Sequence, residues 1–418
     1  MPGNFLKKFE NIYGYLFFAL LAASLVFLRK PETLLHAQLW AEDGKIWFAQ
    51  AYNIGAFKSL LISDGGYFQT FSRLAAALGL LVPLSKVPLL LNSIEFLLQL
   101  SPALLLLTPR LKNIGPKIQS RLLLAGLYLL LPNTAELDGH ITSSQWYLAV
   151  LAFLVLVASP AVKNKLWQFF DAVVLLLSGL TGTFAIFLIP VAAVLYKTRR
   201  GFHSGLNLCL IFFAGVLQAA SVFLLSHENR VHVLPELTAK LFFAIFSRQV
   251  VWGLLSGARG YLIILSQGWL IPLASVLAIV VIIYALVKGP LELKLFLVFG
   301  LAIFAASLIT PTKAALSYPI LKVLSRSTDG IRYWFIPMLS FASALVWGLS
   351  RSNRRAIRFV CALFLCFSIF GIVLDFRHHP YPDNNFGLYV EKFLLLPKGE
   401  RLSIPITPPG WQMELVKH

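Results

Sequence analysis

Charge is scarce in this chain, and acidic charge is scarcest. Of 418 residues only 13% are Asp, Glu, Lys or Arg, and 18 carry a carboxylate, against 58% that are hydrophobic. Mean hydropathy is +0.77. A water-soluble domain has no interior large enough to hide that much apolar surface, so an all-α polytopic membrane protein is expected. Cys209, Cys361 and Cys366 are the whole cysteine complement. Each falls in an apolar run, which reads as small-residue packing and excludes a disulfide framework or a cysteine metal site. No Asn-x-Ser/Thr acceptor occurs, which is compatible with a bacterial origin. Gly65-Gly66, Gly179 and Gly182 suit turns or close packing and do not make a phosphate-binding loop. His378 and His379 lack the partner spacing of a zinc site.

What charge there is has a pattern. The formal net charge is +18, with 36 Lys and Arg. In a soluble chain this excess would suggest nucleic acid. Here the basic residues fall largely in short links between apolar runs, where they orient spans, so no nucleic-acid partner is expected and the lipid bilayer is. Lys7 and Lys8 before the apolar run 12–28 resemble the start of a secretory signal, with Ala22-Ala23-Ser24 imitating a cleavage site, but more membrane segments follow and an uncleaved first span is the better reading. Starting inside, the positive-inside rule gives about eleven spans, with the second at 87–107 and later ones at about 206–225, 269–287, 293–309 and 357–374. The links at 110–121 and 351–358 fall inside, and outer loops fall at about 29–73, 132–145, 226–268 and 310–332. Residues 74–84 read as a juxtamembrane helix, and 226–267 as helices lying on the outer surface, because their apolar stretches are too short and interrupted to cross easily. Residues 1–374 make one transmembrane unit and 375–418 a short outer tail, leaving no large soluble domain.

Nearly all the acidic residues fall on the outer side, and no inverted repeat of broken helices is evident. That favours chemistry at the membrane surface. The least membrane-like stretch is 40–73, where Glu42 and Asp43 follow Trp40 directly. Such a pair can supply a general base for a hydroxyl or a ligand for a hard divalent cation, Mg or Mn. Lys45, Arg73, Arg248, Arg259, Lys313, Arg326 and Arg332 map to the outer loops or their edges, where they can hold a phosphate by charge-assisted hydrogen bonds. Asp138 and His140 can position an acceptor or assist proton transfer. Trp40, Trp47, Tyr67, Trp146, Tyr333 and Trp334 suit sugar stacking or interfacial anchoring.

The segments Trp40-Ala41-Glu42-Asp43-Gly44, Gly66-Tyr67 with Arg73, Ser144-Gln145-Trp146-Tyr147-Leu148 and Arg332-Tyr333-Trp334-Phe335-Ile336-Pro337 resemble short motifs of bacterial GT-C integral-membrane glycosyltransferases. The tail 404–411 resembles the short outer tail of such proteins. The resemblance implies a GT-C-like bundle with outer juxtamembrane helices in the cytoplasmic membrane. It also implies a polyprenyl-phosphate sugar donor, a glycan or glycolipid acceptor, and transfer at the outer, periplasmic face, with inversion. It carries a base or metal-ligand role to Glu42 or Asp43, and donor-phosphate binding to Arg73 and Arg332, with Arg248 and Arg259 as further candidates. Tyr67, Asp138, His140, Gln145, Trp146 and Tyr333 become candidate substrate contacts.

Each assignment has a plainer competitor. Glu42 and Asp43 can serve as a helix amino-terminal cap, Arg73 and Arg332 as interfacial anchors, and Trp146 as an interface-belt residue. Two other functions compete. A surface-glycan polymerase or ligase would need a wide outer cleft. A transporter or flippase of a lipid-linked saccharide would need Glu95 or Asp171 paired to a basic residue deep in the bundle, with Glu42 and Asp43 facing bulk solvent.

Overall fold

The computed structural model describes residues 12–160, 162–225, 237–266, 268–309, 320–325 and 330–418. Lys7, Lys8, Lys313 and Arg326 lie outside the described residues, as do parts of the two later outer loops. Among the described residues, eight helices are long and apolar enough to cross a membrane. The chain is therefore a helical, multi-pass membrane protein. The expected second span forms as Val87–Leu107, with Pro88 in its first turn, where a missing N–H costs nothing. Four further helices, Ile118–Leu129, Ser144–Val157, Lys165–Gly179 and Phe184–Arg199, have only 12, 14, 15 and 16 residues. Each is shorter than the roughly 20 residues a straight crossing needs.

Ser144–Val157 is the axis of the bundle. It is apolar on every side and buried almost throughout, as a helix with no polar face must be. Helices Val87–Leu107, Lys165–Gly179 and Phe184–Arg199 pack around it. Its amino terminus opens at the end of the bundle where the segments 29–73, 132–143 and 330–334 and the tail meet. The opposite end is held by different charges: Arg110 grips Asp171 through two bonds of 2.8 and 2.6 Å, and Arg199 lies 3.9 Å from Glu292.

Two expectations change in detail. The juxtamembrane helix is Thr70–Gly79, four residues earlier than 74–84 at its start, and it buries Ser72, Arg73, Ala75, Ala76 and Gly79. It stops before Pro83 because the residue preceding a proline is pushed out of helical geometry. Of the stretch expected to lie as surface helices, 226–236 and 267 lie outside the described residues, and the rest is the helical run Ala239–Ile264, whose part Trp252–Ile264 packs along Arg355–Asp375. A π-turn at Phe246–Val251 interrupts it, and Gly257 breaks it at φ 67°, ψ −165°. Asp375 closes that break by accepting from the amides of Ala258 at 2.6 Å and Arg259 at 3.2 Å. Arg248, Gln249 and Ser256, which make the stretch look too polar to be internal, are all buried.

The tail is a structural wall. After helix Phe386–Leu395 the chain forms an antiparallel hairpin of β1 (Arg401–Ile406) and β2 (Trp411–Val416), with Ile404 opposite Met413 and Ile406 opposite Trp411. An isolated two-stranded hairpin is marginal in water. This one stands because Ile404, Ile406, Met413 and Leu415 join a second core with Leu39, Trp47, Phe48, Val87 and Leu91. Thr407 accepts from the amide of Ala41, while its own amide donates to the Leu39 carbonyl at 3.1 Å. Ala41 is thereby held at φ 26°, a conformation rare for a residue with a side chain. Truncating Ile406, which rests on Gly44, to Ala is expected to cost about 2–5 kcal/mol and to loosen this turn. Limited proteolysis should then cut within 39–48 much faster than in the wild type; unchanged cleavage would show that the hairpin does not brace the turn.

Candidate functional site

The Trp40–Gly44 segment and the 132–143 loop build the site together. Asp43 is fully buried and turned inward. Its Oδ1 accepts from the Thr142 amide at 3.0 Å and the Thr142 hydroxyl at 2.7 Å, and its Oδ2 accepts from the Ile141 amide at 3.2 Å. The short turn Ile141–Ser143 runs straight into Ser144–Val157, so Asp43 caps the central helix from a distant part of the chain. Trp47 braces the cap, its indole N–H donating to the Thr142 hydroxyl at 2.9 Å. Burial pushes the Asp43 carboxyl up to about 7, against the pull of the Thr142 and Ile141 bonds. Both oxygens of Asp43 are thus engaged by the 141–142 segment, and the side chain has no exposed surface.

Glu42 differs although it is the neighbouring residue. It is half-buried and, among the described residues, its carboxylate makes no hydrogen bond or ion pair. It lies within electrostatic reach of Arg332. Arg332 is paired with Glu136, and its amide also points to that carboxylate at 3.4 Å. The Glu136 carbonyl in turn lies 2.7 Å from Nε2 of His140. His140 stacks on Trp40 with centroids 5.1 Å apart, and burial drives its pKa down to about 3, so the ring is neutral. Next to Arg332, Tyr333 meets Trp146 edge-on at 5.9 Å, and Trp146 meets Phe184 at 4.7 Å. Gln145 lies against Gly182, whose φ of 80° belongs to a residue without a Cβ. The fold thus gathers Glu42, Glu136, His140, Trp146, Arg332 and Tyr333.

Asp138 serves the floor of this cluster. Its Oδ1 accepts from Gln99 at 2.9 Å and Tyr147 at 2.7 Å, and its Oδ2 lies 3.1 Å from His378 and 3.8 Å from Arg29. Burial alone would raise its pKa, but Arg29 and His378 outweigh it and hold the carboxyl well below the ordinary range. Lys30, beside it, is pushed down to about 7 by burial, opposed by Asp138 and Glu95, with its ammonium 3.1 Å from the centre of the Tyr381 ring. Glu95, one of the two acidic residues singled out inside spans, is buried at this same end, while Asp171 pairs with Arg110 at the opposite end, not deep in the bundle.

The four arginines proposed for phosphate separate. Arg259 is occupied by the carbonyls of Leu374 at 3.1 Å and Arg377 at 3.3 Å, and by His379 at 3.1 Å. Arg73 is fully buried, lies over Trp47 at 4.9 Å and donates to Gln50 at 2.7 Å, leaving Nε and Nη2 unpaired; burial lowers its pKa to about 10. Arg248 rests 4.0 Å from the Tyr261 ring with Nε and Nη1 buried and unpaired. Its turn, Phe246–Val251, packs against Ile331–Trp334, which carries Arg332. Arg248 and Arg332 therefore sit on touching elements, while Arg73 belongs to Thr70–Gly79 and packs on Trp47. The backbone of Tyr67 is paired with that of Asp64.

Sequence reading missed Arg29, Lys30 and Glu136, and weighed His378 only as a zinc ligand. A signal for the first two was present: they close the first span on the outer side, against the usual charge bias. Among the described residues no group of three or more His, Cys, Asp or Glu is placed to hold a metal.

The fold and the polar cluster define a class, a polytopic helical membrane protein with a charged site assembled at one end of its bundle. No protein-family model matches the sequence, and comparison with curated proteins finds no significant match.

Proposed function

We propose that the chain is a membrane glycosyltransferase of the GT-C kind, with about eleven spans in the bacterial cytoplasmic membrane. It moves one sugar from a polyprenyl-phosphate donor to a hydroxyl of a cell-envelope glycan or lipid at the outer face. The observation that carries this reading is the asymmetry of the acidic pair: Asp43 is consumed as a helix cap, while Glu42 keeps a free carboxylate beside Arg332. In this reading Glu42 takes the proton from the acceptor hydroxyl as that oxygen forms its bond to the sugar carbon. The bond from that carbon to the phosphate oxygen breaks on the opposite face, and the lipid phosphate leaves. Arg332 and Arg248 stabilise the negative charge that gathers on the leaving phosphate. Trp146 and Tyr333 form an aromatic wall for the sugar. No step is assigned to a divalent cation.

The transporter reading has less support. Its required feature was a deep acidic-basic pair with Glu42 and Asp43 in bulk solvent, and Asp43 is buried.

The test is transfer of labelled sugar from a panel of polyprenyl-phosphate sugars to membrane glycans by purified full-length protein. Binding of such donors without any transfer would sink the enzyme reading. Within that assay Arg248→Met is informative. Removing a buried cation with unpaired nitrogens is expected to raise thermal stability, whereas losing a phosphate contact is expected to weaken donor binding at least about tenfold. Stability gained with donor affinity unchanged would remove Arg248 from the site.

A further inference from the structure

A cleft of about 610 Å³ lies between the start of the first loop, the Ser85 turn and the tail segment that follows Arg355–Asp375. Its lining includes Glu32, His36, Gln38, Asp383 and Asn385. The side chains of His36, Gln38 and Asn385 make no hydrogen bond among the described residues. Asp383 uses one oxygen to accept from the Asn385 amide at 2.9 Å, which leaves the other free. Glu32 uses one oxygen on Arg377 at 3.1 Å, and its other is buried without a partner. The cleft thus presents amide and imidazole donors beside amide and carboxylate acceptors, and among its lining residues there is no Lys or Arg.

That chemistry is selective. A phosphate would meet two carboxylates and no cation, and a lipid tail would strand the polar groups. A polyhydroxylated ligand satisfies them, because each hydroxyl both donates and accepts. The volume lies within the ordinary range of ligand sites, roughly 300–1,000 Å³. Tyr381 lines the cleft and packs on Trp40 with centroids 4.9 Å apart, and Glu42 follows Trp40 by two residues.

We propose that this cleft binds the saccharide that accepts the sugar, with its reacting end directed past Trp40 towards Glu42. The proposal rests on the glycosyl-transfer reading for the word acceptor, and on the cleft alone for the word saccharide. It gives the tail a second task. Besides bracing the Ala41 turn, the tail supplies one wall of the acceptor site.

Gly387 offers a probe. It lines the cleft, and a Cβ added there would meet no atom within 4 Å, so Gly387→Trp places bulk at the cleft from a position whose backbone has room for a side chain; an unchanged thermal unfolding midpoint would show that the fold is kept. Binding of soluble neutral, amino-sugar and acidic oligosaccharides to the full-length protein would be measured by saturation-transfer NMR, beside transfer kinetics. Gly387→Trp, and separately the double variant His36→Ala/Gln38→Ala, are expected to weaken saccharide binding at least about tenfold and to raise the acceptor KM. The donor KM and kcat should stay at wild-type values. Transfer with an unchanged acceptor KM in both variants would overturn the cleft and leave the transferase reading standing. Saccharide binding that both variants weaken, in a protein that transfers no sugar, would support the cleft and overturn the transferase reading. Preference for a cationic peptide over every saccharide would overturn the proposal.

Discussion

Glu42→Gln is expected to lower the proposed sugar transfer by roughly 10²–10⁴-fold and to leave donor binding intact; this is the largest effect expected on the chemistry and the usual contribution of a general base. The amide keeps the size and polarity of the side chain and removes only its capacity to take a proton. The Glu42 carboxylate makes no hydrogen bond or ion pair among the described residues, so the substitution breaks none, and the thermal unfolding midpoint should move little. Loss of turnover with unchanged donor affinity and unchanged unfolding would mark Glu42 as the base. Full turnover in Glu42→Gln would sink the carboxylate mechanism.

Asp43→Ala is expected to act in the opposite way, on stability and not on chemistry. It leaves the buried amides of Ile141 and Thr142 without the acceptor that caps the central helix, at a cost on the order of 3 kcal/mol. Asp43→Asn keeps the shape and one acceptor oxygen and should cost less, with near wild-type turnover per folded molecule. The same group also sets a pH dependence. Its carboxyl titrates near 7 in the folded protein, above its ordinary value of 3.8, so between those values the folded chain holds a proton that the unfolded chain has released. The stability this group contributes is full below about pH 4 and is lost as pH rises through 7. Thermal unfolding followed from pH 4.5 to 8 should therefore show a decline that Asp43→Asn flattens. Equal slopes in the two proteins would mean that Asp43 is not buried as an acid.

Much of the architecture was legible because membrane spans announce themselves by length and apolarity. The run at 87–107 is one helix with those bounds, and those near 206–225, 269–287, 293–309 and 357–374 form helices shifted by at most a few residues. Ala239–Ile264 was harder because hydropathy weighs a residue by its type, and Arg248 and Gln249 are polar residues facing inward. The hairpin escaped notice for a related reason. Ile404, Ile406, Met413 and Leu415 alternate as a half-buried hairpin should, but two strands alone predict nothing until the surface that covers them is known.

The sequence by itself determined that this is a helical membrane protein and that its unusual carboxylates are Glu42 and Asp43, because composition and apolar run length are properties of the chain alone. Which of the two is free was decided only by tertiary structure. Adjacent residues in a turn point in different directions, and the direction here follows from where the 132–143 loop brings the amides of Ile141 and Thr142, about a hundred residues away in the chain. The same holds for the arginines, which look alike in sequence and are told apart by partners that only folding supplies. Arg259 meets carbonyls, Arg332 meets Glu136, and Arg248 keeps nitrogens without a partner.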